Sequence, residues 1–205
     1  MMRKWIGGLL VMAVVGIAWA QQDKTPHQII EETAQTMADQ LDGRQEYLEE
    51  NTDELYELIN EVMYPYFDTR YAGRLVLGKH WQNVTAEQRS RFIDAFYGFL
   101  LRSYAKGVLE FDQNNINILP ARGEQDEKRA VVKTEMRLDD GSEVPVNYSM
   151  RKTSTGWKVY DVRIEGISYI RNYRSQFNAE IAANGIDSVI QRMETETTAP
   201  DGDQT

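Results

Sequence analysis

The chain has 205 residues, 41% hydrophobic and 27% charged, with a formal net charge of −9, which is enough apolar material for one globular domain with a real core. It has no cysteine, which excludes a disulfide framework, thiol catalysis, cysteine-held zinc and iron–sulfur clusters. The acidic balance excludes nucleic acid as a partner and disfavours bare anionic lipid surfaces, because both repel such a protein.

Arg3 and Lys4 precede an apolar run from Trp5 to Ile17, and Ala18-Trp19-Ala20 is a small-x-small cleavage site. That pattern predicts a secretory signal peptide over residues 1–20. An uncleaved anchor helix is the weaker reading, since the run is short for a span and ends in a cleavage site. The exported chain then begins at Gln21, without a cysteine for lipid attachment. Residues 21–64 read as two or three helices. Thr25-Pro26-His27-Gln28 forms a capping box with proline at the first helical position. Ile29, Ile30, Thr33, Met37 and Leu41 mark an apolar side. Glu46, Glu49, Glu50 and Asp53 read as a solvated helix face, because nothing there has calcium-loop spacing. Leu55, Leu58, Ile59, Val62 and Met63 form the next apolar side, which Pro65 ends. Asp68 caps a short helix that Gly78 closes. A second capping box, Thr85-Ala86-Glu87-Gln88, opens the most apolar helix of the exported chain. Its Phe92, Phe96, Phe99, Leu100, Tyr104 and Val108 cover well over half the circumference. Such a helix is buried on more than one side or lines a cavity.

From Asn115 the pattern changes to strands. Asn115–Leu119 is short, and Ala130–Leu138 alternates Val132, Thr134, Met136 and Leu138 against Val131, Lys133, Glu135 and Arg137. Asp139-Asp140-Gly141-Ser142 is a hairpin turn, not a metal site, since adjacent turn aspartates rarely converge on one ion. Val144, Val146, Tyr148 and Met150 share one face of the third strand. Trp157–Ile164 is apolar on both parities, as an interior strand is. After Gly166, Ile167, Ile170, Tyr173, Phe177 and Ile181 follow a helical period and predict a helix lying over the sheet. Gly185 breaks it before a last helix to Met193. The composition of residues 194–205 predicts a disordered polar tail. The fold class expected is α+β, a four-stranded antiparallel sheet with helices over it.

Chemistry-bearing constellations are scarce. His27 and His80 have no neighbours at metal-ligand spacing. Gly166-Ile167-Ser168-Tyr169-Ile170 begins like a nucleophile elbow but lacks the second glycine, so Ser168 reads as a helix-start residue. Asp161 lies inside an apolar strand. It is either a general base or, more in keeping with such positions, a carboxylate paired with Arg163 or Arg171 or capping backbone amides.

Three segments carry a family resemblance. Leu77-Gly78-x-x-Trp81 with Thr85-x-Glu87-Gln88-x-x-x-Phe92-x-x-x-Phe96 resembles the central region of the MlaC-type periplasmic phospholipid-binding proteins, the toluene-tolerance family. Val146-x-Tyr148-x-Met150 and Gly156-Trp157-Lys158-Val159-Tyr160-Asp161-Val162 resemble its last hairpin. Gly166-Ile167-Ser168 with Asn172-Tyr173-Arg174-x-x-Phe177 resembles its final helix. The match runs from about Ile29 to Met193. The resemblance implies a twisted sheet wrapped by helices with a deep apolar pocket between them. It further implies a periplasmic, non-enzymatic carrier, expected as a monomer, with phospholipid as cargo and no cofactor or metal. The implied partners are an outer-membrane lipoprotein–porin complex and the substrate-binding ring of an inner-membrane ABC transporter, and the implied role is outer-membrane lipid asymmetry. From the apolar faces, Phe96, Leu100, Tyr104, Val132, Met136, Val146, Tyr148, Met150, Ile167 and Ile170 are expected to contact the lipid tails, with Gly166 and Gly107 as hinges. The competing reading is a small hydrolase or isomerase with Asp161 as base, but the inward parities supply little polar chemistry beyond Thr134, Tyr148 and Asp161.

Overall fold

The computed structural model describes residues 24–110, 112–121, 126–138 and 140–198. The leader predicted over 1–20 and the start at Gln21 lie outside the described residues. The helices are α1 (Pro26–Leu41), α2 (Gln45–Glu50), α3 (Thr52–Met63), α4 (Thr69–Leu77), α5 (Ala86–Leu109), α6 (Tyr169–Asn184) and α7 (Ile186–Thr198). Between α5 and α6 lie β1 (Ile116–Ile118), β2 (Arg129–Arg137), β3 (Glu143–Thr153), β4 (Gly156–Ile164) and β5 (Ile167–Ser168).

Local chemistry sets the helix starts. Thr25 and Thr85 each accept from the amide three residues on, and Gln28 and Gln88 return the bond. Two orphan donors at each N-terminus are thereby satisfied. The Asp68 side chain accepts from the Tyr71 amide at 2.9 Å and opens α4. Gly78, at φ +51°, ends it.

The strands form an antiparallel meander in the order β1-β2-β3-β4-β5. The sheet therefore has five strands where the sequence pattern predicts four. The fifth arises because Glu165 and Gly166 both take positive φ, 51° and 82°. That tight turn folds Ile167 back to pair with Ile164 and Ser168 with Arg163. The chain thus does not pass directly from β4 into the helix. Ile167 belongs to an edge strand and is 62% exposed, while the helix begins at Tyr169. The register shifts between Ser149 and Met150, where Tyr160 is the extra residue of a bulge in β4. It sets Ser149 opposite Asp161 and Met150 opposite Val159.

Three apolar clusters hold the elements together. Ile29 and Ile30 of α1 pack on Val132, Met150 and Val159 of the sheet. Met37 and Leu41 join Leu48, Leu55 and Leu58, with Ala105 of α5 beside them. The largest cluster lies among α4, α5, α6 and α7, around Phe92, Phe96, Tyr173 and Phe177. The last helix runs to Thr198, past the Met193 end expected from composition, so residues 194–198 are helical. Packing against α5 explains the extension. Arg91 forms a two-bonded pair with Glu194, and Arg102 Nη1 donates to the Thr197 carbonyl at 3.0 Å. Residues 199–205 of the expected tail lie outside the described residues.

Helices α4 and α5 approach closely at Gly73, where an added Cβ would lie 2.8 Å from Ile93 Cγ1. Cγ1 lies near the root of the branched Ile93 side chain, so the contact is relieved only by a change of rotamer or a shift of α5. Gly73→Ala is expected to destabilise the fold by about 1–3 kcal/mol through overpacking, read as a lowered thermal midpoint. An unchanged midpoint would show that this helix contact is slack.

Candidate functional site

Two apolar cavities lie between the helices and the sheet. The larger, about 620 Å³, is lined by Ile29, Ile30 and Met37 of α1 and by Met136, Tyr148 and Val159 of the sheet. The smaller, about 280 Å³, is lined by Ile59, Phe96, Leu100, Tyr104, Ile170 and Tyr173 among others. Met63, Phe67 and Val108 line both, so they form the wall between them. The backbone places that wall. Phe67 makes a one-residue parallel bridge to Val159, and the Asp68 amide donates to the Val159 carbonyl at 2.8 Å. The segment after α3 is thereby hitched to the centre of the sheet.

The larger cavity is apolar within and charged at its rim. Glu110, Asp112, Arg137 and Asp140 stand there, all exposed. Asp112 accepts from the Asn114 amide at 2.8 Å. Asp140 accepts from the Ser142 hydroxyl at 2.6 Å and its amide at 2.9 Å, bonds that hold its carboxyl below the usual range. The other polar groups of the two linings include tyrosine hydroxyls. Burial raises the Tyr148 hydroxyl. Burial, reinforced by the hydrogen bond to Tyr173, pushes Tyr104 up to about 12. Tyr104 and Tyr173 satisfy each other at 2.7 Å, and Tyr97 donates to Asn60 Oδ1 at 2.5 Å. Tyr97 too is pushed up to about 12, by burial and then by Tyr64. A hydroxyl that keeps its proton adds no charge to the cavity.

The expected tail-contacting residues separate into groups. Met136 and Tyr148 line the larger cavity, and Phe96, Leu100, Tyr104 and Ile170 line the smaller. Val132, Val146 and Met150 lie outside both linings. Val132 and Met150 are wholly buried in the cluster beneath Ile29 and Ile30, because the start of α1 covers that half of the sheet face. Val146 is buried, and its carbonyl accepts from Thr134 Oγ1 at 2.8 Å. Ile167 stands exposed on the edge strand. The contribution of α1 was visible as the apolar side Ile29, Ile30, Thr33, Met37, but one helix face does not say whether it fills a core or walls a cavity. Phe67 carried no signal, since it lies in an irregular stretch after Pro65.

Asp161 resolves as a cap. Ser168 Oγ donates to its Oδ2 at 2.8 Å, and the Ile170 amide donates to its Oδ1 at 3.1 Å. Arg163 Nε lies 3.6 Å from Oδ2. Both oxygens bond to the start of α6, so the carboxylate fastens that helix to β4. Ser168 in turn accepts from the Arg171 amide at 3.1 Å, as a helix-start serine does. His27 Nε2 lies 3.2 Å from the Leu119 carbonyl and ties α1 to the end of β1. Among the described residues no three histidine or acidic side chains gather as a metal site, and no helix is long and apolar enough to cross a membrane.

Comparison with known proteins agrees with this architecture. The chain is 28% identical over 181 residues to the toluene tolerance protein ttg2D of Pseudomonas putida, covering 88% of this chain and 84% of that protein. It is 22% identical over 204 residues to the intermembrane phospholipid transport system binding protein MlaC of Haemophilus influenzae, covering 97% and 95%. A Ralstonia solanacearum phospholipid-binding protein, solved in complex with a phospholipid, superposes with a TM-score of 0.76 at 22% identity, over 85% of this chain and 97% of that one. The family model described as MlaC protein matches residues 31–195, and the chain belongs to that family.

Proposed function

We propose that this protein is a non-enzymatic phospholipid carrier of the periplasm. It holds acyl chains in the apolar cavities, leaves the head group at the charged rim, and passes its cargo between an outer-membrane lipoprotein–porin complex and the substrate-binding ring of an inner-membrane ABC transporter. The observation that carries this reading is the larger cavity, with a largely apolar lining and the exposed charged residues Glu110, Asp112, Arg137 and Asp140 at its mouth. The reading gains support from the phospholipid bound by the Ralstonia relative and from the name of the Haemophilus relative. Each methylene exposed to water costs about 0.8 kcal/mol, so two free tails cannot cross an aqueous space unshielded. A cavity of methionine, isoleucine, valine and tyrosine exchanges one apolar medium for another, which keeps loading and release near balance. Flexible Met37, Met63 and Met136 adapt to tails of varied length.

The test places a charge in the lining without breaking a strand. Ala34 lies on α1, is half-buried and lines the larger cavity, and a helix accepts glutamate readily. Ala34→Glu is expected to fold with native circular dichroism yet lose its phospholipid, because an unpaired carboxylate against acyl chains is strongly disfavoured. Val131→Glu, at a 54% exposed position on the opposite sheet face, is expected to keep it. Full lipid retention by folded Ala34→Glu protein would overturn the assignment of this cavity.

A further inference from the structure

We propose that the sheet face turned away from Ile29 and Ile30 of α1 is a docking surface for an acidic patch on a partner protein. Its recognition groups are Arg129, Arg151 and Lys158 in one row, with Lys133 and Arg163 in the next. This rests on the carrier reading, since a carrier has to meet the assemblies that load and empty it. It goes beyond that reading in naming where this chain meets them and by what chemistry.

The strand register builds the rows. Arg129 of β2 faces Arg151 of β3, and Arg151 faces Lys158 of β4. Four residues along β2, Lys133 faces Asn147, and Asn147 faces Arg163. Strand spacing makes each row about 10 Å wide, and the rise along β2 separates the rows by about 13 Å. Like charges directly opposite each other across a ladder cost stability. The other end of the same two strands has the ordinary arrangement, with Arg137 facing Glu143. The cations are thus kept together against a local cost, as at a surface with a function.

Little within the fold cancels these charges. Asp68 accepts from Arg151 Nε at 2.5 Å while its other oxygen takes the Tyr71 amide. Asp161 lies 3.6 Å from Arg163 but bonds to Ser168 and the Ile170 amide. Asp126 accepts from the Lys128 and Arg129 amides. Among the described residues Arg129, Lys133 and Lys158 form no ion pair with a carboxylate. The partners of Arg129 are neutral: it donates to the Tyr71 hydroxyl at 3.1 Å and to the Tyr160 hydroxyl at 3.2 Å. Those two rings meet edge to face at 5.2 Å, and the Arg151 guanidinium lies 4.4 Å from the Tyr71 centroid. The bulge thus aims Tyr160 at Arg129. Both guanidinium groups are held in place without losing their charge, which lowers the ordering cost of binding an anion.

Carboxylates suit this surface, because a fixed guanidinium fork takes a carboxylate with two parallel bonds. A protein partner fits better than an anionic bilayer. Between Lys24 and Met63 the chain has eleven acidic and two basic residues, an excess equal to its whole net charge of −9. A bilayer presents an extended negative plane to the molecule, whereas an acidic patch of a folded partner meets only the rows. Charges beyond about 8–10 Å are largely screened at that contact.

The test uses lipid-loaded full-length protein. The probes are the outer-membrane lipoprotein–porin complex and the transporter's substrate-binding ring, each in nanodiscs, with association rates read by interferometry. The variant carries Arg129→Glu and Lys133→Glu, both at exposed positions. It is expected to keep its phospholipid and to associate with at least one probe about tenfold more slowly at low salt. High salt is expected to shrink the difference, and Arg129→Lys with Lys133→Arg to restore the rate. Lys133→Glu alone is expected to slow association in the same direction and serves if the double variant does not fold. Wild-type rates to both probes in lipid-retaining variant protein overturn the docking surface and leave the carrier reading standing. So does lipid-loaded wild type that associates with neither probe. Wild-type protein that carries no lipid overturns the carrier reading itself. Phosphatidylglycerol vesicles are the third probe: binding by the wild type that the double variant loses would make the face a lipid-surface site and overturn the protein assignment.

Discussion

Removing the bound lipid is expected to lower the melting temperature by about 10 °C. A ligand present at a thousandfold excess over its dissociation constant stabilises the native state by about 4 kcal/mol. In a domain of this size each kcal/mol shifts the midpoint by about 2–4 °C. The larger cavity gives a physical reason for a shift of that order. Holding its 620 Å³ open and dry would cost, as an upper bound, about 15 kcal/mol on the scale of ~24 cal/mol per Å³, as much as the whole stability of a domain. The emptied protein must admit poorly bonded water or close. Gly107 lines this cavity with open space around it, which suits a hinge near the end of α5. Gly166 suits one less well, because the β4–β5 turn is pinned by the pairing of Ile164 with Ile167 and by the Glu165 amide bonded to the Pro145 carbonyl at 3.0 Å. Calorimetry with solution scattering on matched samples checks this. Equal midpoints and equal envelopes, in samples shown to differ in lipid content, would contradict it.

Phe177→Ala is expected to cost about 3–5 kcal/mol, the range for emptying a large aromatic from a packed core. Phe177 is 1% exposed. Its ring stands edge-on to Phe92 at 5.8 Å and to Phe96 at 5.7 Å, and stacks on Tyr173 at 5.7 Å. The Arg192 guanidinium lies 5.7 Å from its centroid and is held there by bonds to Glu180 and Glu196. Deleting the ring therefore strips contacts from α5, α6 and α7 together. Phe96 and Tyr173 also wall the smaller cavity, so the variant should retain less phospholipid as well as lose stability. Urea unfolding reads the first effect. A loss below about 1 kcal/mol, the size of a single methylene deletion, would show that the cluster is far looser than its geometry.

The fold was legible wherever one side chain or one period decides the outcome. Thr25, Thr85 and Asp68 announce helix starts by chemistry that acts within four residues. The alternation of Val144, Val146, Tyr148 and Met150 announces a strand with one covered face. β5 was hidden because it depends on Glu165, a residue that rarely takes positive φ. The helical stripe through Ile167 looked continuous, and only the turn removes that residue from it. Residues 194–198 are polar, and their helix is supported by Arg91 and Arg102 from a distant element. In the site, an apolar face could be read but not its destination. Val132 and Met136 share one face of β2 with Thr134 between them, yet the first is sealed under Ile29 and Ile30 while the second opens on the cavity. Where α1 stops covering the sheet is a property of three-dimensional packing and has no period in the chain.

The most direct measurement is solvent extraction and mass spectrometry of the protein purified without detergent. Phospholipid is expected in close to stoichiometric amount, retained through gel filtration with the folded protein and absent from Ala34→Glu protein prepared in the same way. Folded wild-type protein that yields no phospholipid, and that takes up none from diacyl vesicles, would contradict it.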